Sequence, residues 1–196
     1  MNDTKKNPFD QSYYYGAVYN NYDEFIDFER IAKDLYSKFN FNSFLDIGCG
    51  CGNLPIAVNS LLSTLNKREF DVQGVDISEF AVAKANKPYI NTSDCRDLSM
   101  FEAGRFDLVH ILGTFSYLSG TDEIIKAMKE ADRVSNRYIV FDDVYKMPPE
   151  NHDDYDPHRV RAYSQKEWHD LWEEAINNFE SIEFHADEII IKKSSY

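Results

Sequence analysis

The run Phe44-Leu45-Asp46-Ile47-Gly48-Cys49-Gly50-Cys51-Gly52-Asn53-Leu54 decides the fold. A short apolar segment ends in an acid, glycines follow at alternate positions, and a helical pattern begins at Leu54. This is a strand, a tight glycine turn and a helix start, the form in which α/β proteins hold nucleotide-like ligands. The glycines let the backbone turn sharply and approach a ligand where a Cβ would collide. Asp46 sets the run apart from a phosphate loop, because a carboxylate at the strand end repels phosphate and suits a cationic ligand. No Gly-Lys-Ser/Thr follows, which argues against a nucleoside-triphosphate loop.

Outward from this run, strand and helix patterns alternate. Before it, apolar residues from Phe25 to Phe39 follow helical spacing, with Asp23 as the expected N-cap. After it, Leu54–Leu65 reads as a helix, Phe70–Asp76 as a second strand and Ser78 as the cap of a short helix. Tyr89–Thr92 is a weak third strand and Phe106–Leu112 a strong fourth. Thr121–Val134 reads as a helix and Arg137–Val144 as a fifth strand. Ser164-Gln165-Lys166-Glu167 is a capping box that opens a helix through Trp168 and Trp172. Phe179–Phe184 and Glu188–Lys192 close the chain as two strands joined by a tight turn at Ala186-Asp187. Such alternation predicts a Rossmann-like α/β fold: a seven-stranded, mostly parallel sheet with one antiparallel strand and helices on both faces. The expected organisation is an aromatic segment and helix over residues 1–41, then a ligand-binding domain over 42–196, compact as a whole.

Bulk properties narrow the class. At 196 residues, 43% hydrophobic and 15% aromatic, the chain can build a real core. The formal net charge of -13 opposes phosphate backbones and anionic membranes, so nucleic acid is a poor partner. The Lys5-Lys6 and Lys192-Lys193 pairs are too short to make a basic patch. Cys49, Cys51 and Cys95 are odd in number, and two lie in the glycine turn, so no disulfide framework is expected. No apolar run follows the first residues and none approaches roughly 18 residues, so a soluble cytoplasmic protein without a membrane span is expected.

Four acids fall where strand ends are predicted: Asp46, Asp76, Asp94 and Asp142. In open α/β sheets ligands sit at those ends. Asp76, about thirty residues after Asp46, is placed to accept hydrogen bonds from ribose hydroxyls, a device that dinucleotide folds share. Together with Asp94-Cys95 and Phe106-Asp107-Leu108-Val109, the set resembles the class I S-adenosylmethionine-dependent methyltransferases in order and separation. The resemblance runs roughly from Asn42 to Val144 and, with the closing strands, takes in most of the chain.

It implies S-adenosyl-L-methionine as cofactor. Gly48, Gly50 and Gly52 would line the methionine portion with Cys49 among the cofactor residues, Asp46 would anchor its neighbourhood, Asp76 would hold the ribose, and Ile77 would flank the adenine. Asp94 and Cys95 would contact the adenine, with Leu112 beneath the ligand. The tyrosine-rich start, Tyr13, Tyr14, Tyr15, Tyr19 and Tyr22, resembles the lid of small-molecule methyltransferases, with Tyr14 expected at the cofactor.

The sulfonium activates the methyl, so the protein mainly aligns nucleophile, carbon and sulfur. A base helps a hydroxyl or a protonated amine. His152 and Asp143 are the candidates, with His158 and Asp142 near them. Asp142, Asp143, His152, Asp153 and Asp154 match no metal motif, so no metal site is expected. His110 falls mid-strand and reads as a core histidine. The Asn/Asp-Pro-Pro-Tyr/Phe signature of amino methylation on nucleobases and glutamine is missing after the fourth strand. The expected function is methyl transfer to an oxygen or nitrogen of a small-molecule acceptor, which the aromatic lid and the irregular stretch 146–163 would select. A protein or RNA methyltransferase, a non-catalytic cofactor-binding subunit and a Rossmann dehydrogenase are the competing readings. Nothing in the sequence sets the oligomeric state.

Overall fold

The computed structural model describes residues 7–65, 69–152, 155–186 and 188–194. Its strands are β1 (Ser43–Ile47), β2 (Asp71–Asp76), β3 (Ile90–Thr92), β4 (Phe106–Leu112), β5 (Ser135–Asp142), β6 (Phe179–His185) and β7 (Glu188–Lys193). The helices are α1 (Phe28–Phe39), α2 (Asn53–Thr64), α3 (Glu79–Ala85), α4 (Thr121–Val134) and α5 (Gln165–Ala175). They form one seven-stranded sheet in the order β3-β2-β1-β4-β5-β7-β6. β1 to β5 are mutually parallel, and β7 alone runs against its neighbours β5 and β6. This is the Rossmann-like sheet expected from the alternating pattern.

Side-chain alternation along the strands divides the core in two. Leu45, Val109, Ile139 and Ile191 pack on one face against Ile124 and Met128 of α4 and Trp168 and Trp172 of α5. Phe44, Leu108, Val140 and Ile190 pack on the other against Leu35 and Phe39 of α1 and Leu54, Val58 and Leu62 of α2. The buried runs on both faces explain why the central strands read as continuously apolar. The same alternation governs the strand ends. Asp46 is paired with His110 in the β1–β4 register, so the two side chains share the α1/α2 face at the carboxyl end of the sheet.

α1 begins later than its spacing suggests. Its N-cap is Asp27, which accepts from the Arg30 amide at 3.0 Å. Asp23, the expected cap, accepts instead from the Tyr15 hydroxyl at 2.9 Å and the Asn53 amide group at 3.2 Å. Phe25 therefore lies outside the helix, and its ring packs 5.2 Å from Tyr19 and 4.9 Å from Tyr22. β5 starts directly after α4 at Ser135, two residues before the expected Arg137, and ends at Asp142. Asp187 of the expected closing turn, Asp153 and Asp154 of the acidic group, and Lys5-Lys6 lie outside the described residues. Among the described residues no helix is long and apolar enough to cross a membrane.

Candidate active site

The glycine turn is built to bring backbone close to a ligand. Gly48 and Gly50 have φ of 76° and 54°, which favour glycine over any residue with a Cβ. A Cβ on Gly48 would stand 2.1 Å from the Thr114 hydroxyl oxygen, and one on Gly50 would stand 2.5 Å from the Tyr22 hydroxyl oxygen. The turn is fastened to the end of β2. Asp76 accepts from the Gly50 amide at 2.8 Å through one oxygen and from the Ser78 amide at 2.8 Å through the other. Each oxygen keeps a second lone pair. Burial pushes the Asp76 carboxyl above its ordinary range, and the two amides pull against that shift.

Next to the turn, His110 and Asp46 are joined at 2.7 Å through Nδ1, both buried. His110 is thus a core residue, as its mid-strand position suggests, and it also forms part of a cavity wall.

That cavity, about 420 Å3, lies at the carboxyl ends of β1, β2 and β4. Asp46, Gly48, Cys49 and Gly50 line it from the glycine turn. Asp76 and Ile77 line it from the end of β2, Asp94 and Cys95 from the segment after β3, Leu112 from the end of β4 and Tyr14 from the N-terminal segment. The residues named for the cofactor thus share one wall system, except Gly52, which stands against Ala85 and Ile90. Asp94 differs from expectation in its state. Its carboxylate is forked by Arg96 at 2.9 and 2.5 Å, and Arg96 also reaches Glu123 at 2.5 Å. Arg96 holds the Asp94 carboxyl below the ordinary carboxylate range. Burial pushes the thiols of Cys51 and Cys95 up to about 11 and about 12, and raises that of Cys49 well above its ordinary value. They stay protonated at neutral pH and act as small filler.

The N-terminal segment roofs this space. It is tied to the β2–α3 junction by Asn7, which donates to the Ile77 carbonyl at 2.9 Å, and by Ser78, which donates to the Phe9 carbonyl at 2.5 Å. Its other tie is Asp156. The buried carboxylate accepts from the Tyr13 hydroxyl at 2.8 Å, the Tyr117 hydroxyl at 2.6 Å and the His158 amide at 2.8 Å. Tyr14 is buried, and its ring meets Tyr22 edge-on at 4.9 Å.

Neither expected base is presented for proton transfer. Asp143 borders a second cavity, yet its carboxylate accepts from the amides of Phe115, Ser116 and Val144 at 2.7, 3.0 and 2.8 Å. It anchors the turn after β4. His152 is exposed and lines neither cavity. The geometry adds Thr114, Tyr117, Asp156 and Arg159, which no pattern had singled out, and brings Tyr22 of the expected lid to the glycine turn. Thr114 and Tyr117 lay in the Gly113–Leu118 run after the fourth strand, and Asp156 and Arg159 in an aperiodic loop.

These walls fit S-adenosylmethionine. Asp46 supplies charge for a sulfonium and an ammonium, and the spare lone pairs of Asp76 suit a ribose diol, while the space beside Gly50 is held by the Tyr22 ring. Comparison with known proteins agrees. Residues 44–137 match a family described as a methyltransferase domain. No curated protein matches the sequence. Among solved structures, a proposed S-adenosyl-L-methionine-dependent methyltransferase of Methanococcus maripaludis superposes with a TM-score of 0.66 at 19% identity, covering 100% of this chain and 98% of its own. An S-adenosylmethionine-dependent methyltransferase of Archaeoglobus fulgidus gives 0.60 at 16% identity, over 85% and 95%. One of Thermotoga maritima, described as a possible histamine N-methyltransferase, gives 0.55 at 18%, over 85% and 98%. At such identities the structural likeness establishes the fold, and the domain match supplies the activity. Residues 44–137 are a methyltransferase domain, the chain has the fold of the S-adenosylmethionine-dependent methyltransferases it superposes on, and S-adenosylmethionine is the cofactor that this implies.

Proposed function

We propose that this enzyme moves the methyl group to an oxygen or nitrogen of a small metabolite. The observation that carries the proposal is the roof. Tyr13, Tyr14, Tyr19 and Tyr22 close over the first cavity, which keeps a macromolecular surface away from it. A second space of about 790 Å3 adjoins it, large enough for a small acceptor. The net charge of -13 opposes nucleic acid, and the Thermotoga maritima relative is itself described in terms of a small amine.

When bound, the cofactor supplies a methyl already activated by the sulfonium. The chain's residues do the rest by alignment. Gly48 and Gly50 let backbone lie against the methionine portion, and Asp46, fixed by His110, faces its positive charge. Asp76 takes the ribose. Ile77 and Cys95 flank the adenine, while Asp94, oriented by Arg96, faces its amino group. Leu112 and Tyr14 close the floor and the roof. With the cofactor bound, the chain would serve to align the acceptor's lone pair with the methyl, and the acceptor's proton would leave to water. No base is assigned, since the Asp143 oxygens are held by amides and His152 faces solvent.

Calorimetry with S-adenosylmethionine and S-adenosylhomocysteine tests the cofactor roles. Asp76→Ala is expected to weaken both by about 1.5–3 kcal/mol, the worth of hydrogen bonds to a charged group. Unchanged affinity would remove Asp76 from the site. Incubation with labelled cofactor and a metabolite extract should then give a small labelled product; label only on protein or RNA would overturn the small-molecule acceptor.

A further inference from the structure

Tyr19, Phe25, Leu112, Gly113 and Arg159 belong to the walls of both cavities, so the two spaces meet across this partition. Arg159 is its cation. Nε donates to the Tyr117 hydroxyl at 3.2 Å, and the guanidinium carbon lies 5.7 Å from the centre of the Tyr117 ring. Nη2 stands 3.7 Å from the point a Cβ on Gly113 would occupy. Among the described residues no carboxylate lies within ion-pair distance of this guanidinium, and neither Nη has a protein acceptor.

The other charged groups on these walls behave differently. Asp143 has its carboxylate on three amides, and Asp156 has its own on two phenols and an amide. Arg96 is spent on Asp94 and Glu123. Asp46 is held by His110. Glu24, Asp142 and Lys146 line the second cavity only. The guanidinium is half-buried, its terminal nitrogens are not among the buried polar atoms without a partner, and they stay open to the cavity for an incoming acceptor. Its fork geometry is that of a carboxylate receptor.

We infer that the methyl acceptor is a small monocarboxylate, seated in the second cavity with its carboxylate on the Nη groups of Arg159. Its apolar body lies among Tyr19, Phe25, Tyr145 and Tyr155. Glu24 and Asp142 on the same wall oppose a second negative group, which separates this class from phosphate esters and dicarboxylates. The inference rests on the first cavity being the cofactor's.

The test uses the protein loaded with S-adenosylhomocysteine and two isosteric probes, benzoate and benzamide. Calorimetry should show benzoate binding at least about tenfold tighter than benzamide, a charge-assisted fork being worth about 1.4 kcal/mol or more over its neutral counterpart. Arg159→Gln should erase that preference and leave the affinity for S-adenosylmethionine within about twofold of wild type. Arg159→Lys, which keeps the charge and the stem, should retain a weaker preference and carries the comparison should the glutamine variant not fold. Equal binding of the two probes to wild type, or a preference that survives Arg159→Gln, overturns the inference. So does a loss of S-adenosylmethionine affinity of about tenfold in Arg159→Gln, because the arginine would then serve the cofactor's own carboxylate. A wild type that binds S-adenosylhomocysteine and ignores benzoate sinks this inference alone. A wild type that binds no S-adenosylhomocysteine sinks the cofactor assignment beneath it.

Discussion

Gly50 meets two demands at once. Its φ of 54° disfavours any L side chain, and the space where a Cβ would stand is taken by the hydroxyl end of Tyr22. The conformation alone should cost Gly50→Ala about 1–2 kcal/mol of stability. The collision adds a second cost that passes through Tyr22, so the two residues should couple. In a double-mutant cycle read by chemical denaturation, Tyr22→Ala is expected to relieve part of the Gly50→Ala loss, with an interaction energy of about 0.5 kcal/mol or more. Strict additivity would mean that Tyr22 yields freely. Asp94 supports a different test. Its hydrogen bonds from Arg96 lower its folded pKa, so the pair contributes stability above the unfolded carboxylate value of about 3.9 and loses it as pH falls through the folded value. Asp94→Asn should destabilise the protein at pH 7 by no more than about 1 kcal/mol, because the pair is partly exposed. Below the folded value the variant and wild type should converge, as thermal melts across the acid range would show. At this scale the sequence was informative about acids and glycines, whose chemistry is local. It was silent on what they touch. His110 becomes the partner of Asp46 only when β1 and β4 lie side by side in register, and no periodicity carries strand adjacency.

The elements divide in the same way. β4 and α4 begin and end where hydrophobic spacing puts them, because each is bounded by a glycine at one end and a polar residue at the other and packs a complete apolar face. α5 was legible from its cap. Ser164 accepts from the Glu167 amide at 3.3 Å while the Glu167 carboxylate accepts from the Ser164 amide at 2.7 Å, and the helix then delivers Trp168 and Trp172 to the core. Ser164→Ala should cost about 1 kcal/mol and lower the melting temperature by about 2–4 °C without altering cofactor affinity. A normal melt would show that tertiary burial of the tryptophans fixes the helix without its cap. α1 was misplaced at its start because Phe25 and Phe28 both fit helical spacing, and Phe25 packs on Tyr19 and Tyr22 ahead of a helix that starts only at Phe28. The 146–163 stretch offered length and charge only. Its two functional side chains, Asp156 and Arg159, are defined by what they meet across the fold, the hydroxyls of Tyr13 and Tyr117.

At the scale of the whole molecule, the roof and the sheet depend on one another through the cavity between them. Residues 7–25 form no regular layer of the sheet and touch the domain mainly through tyrosine rings, the Ser78–Phe9 bond and Asp156. That packing leaves about 420 Å3 beneath it. Filling the space with a ligand that contacts both roof and floor must stabilise the folded state, since the unfolded chain has no such cavity. Saturation to about 100 times the dissociation constant adds about 2.7 kcal/mol. For a chain of this length, about 2–4 °C accompanies each kcal/mol, so S-adenosylhomocysteine should raise the melting temperature by about 5–10 °C. The same ligand should slow proteolysis within residues 7–25 more than within α4, because the roof gains contacts along its length whereas α4 lends the cavity only Glu123 and buries its inner side in the sheet core. A full thermal shift with unchanged cleavage in the roof would mean that the tyrosines shelter the cavity without touching what it holds, and the assignment of Tyr14 to the cofactor would then fall.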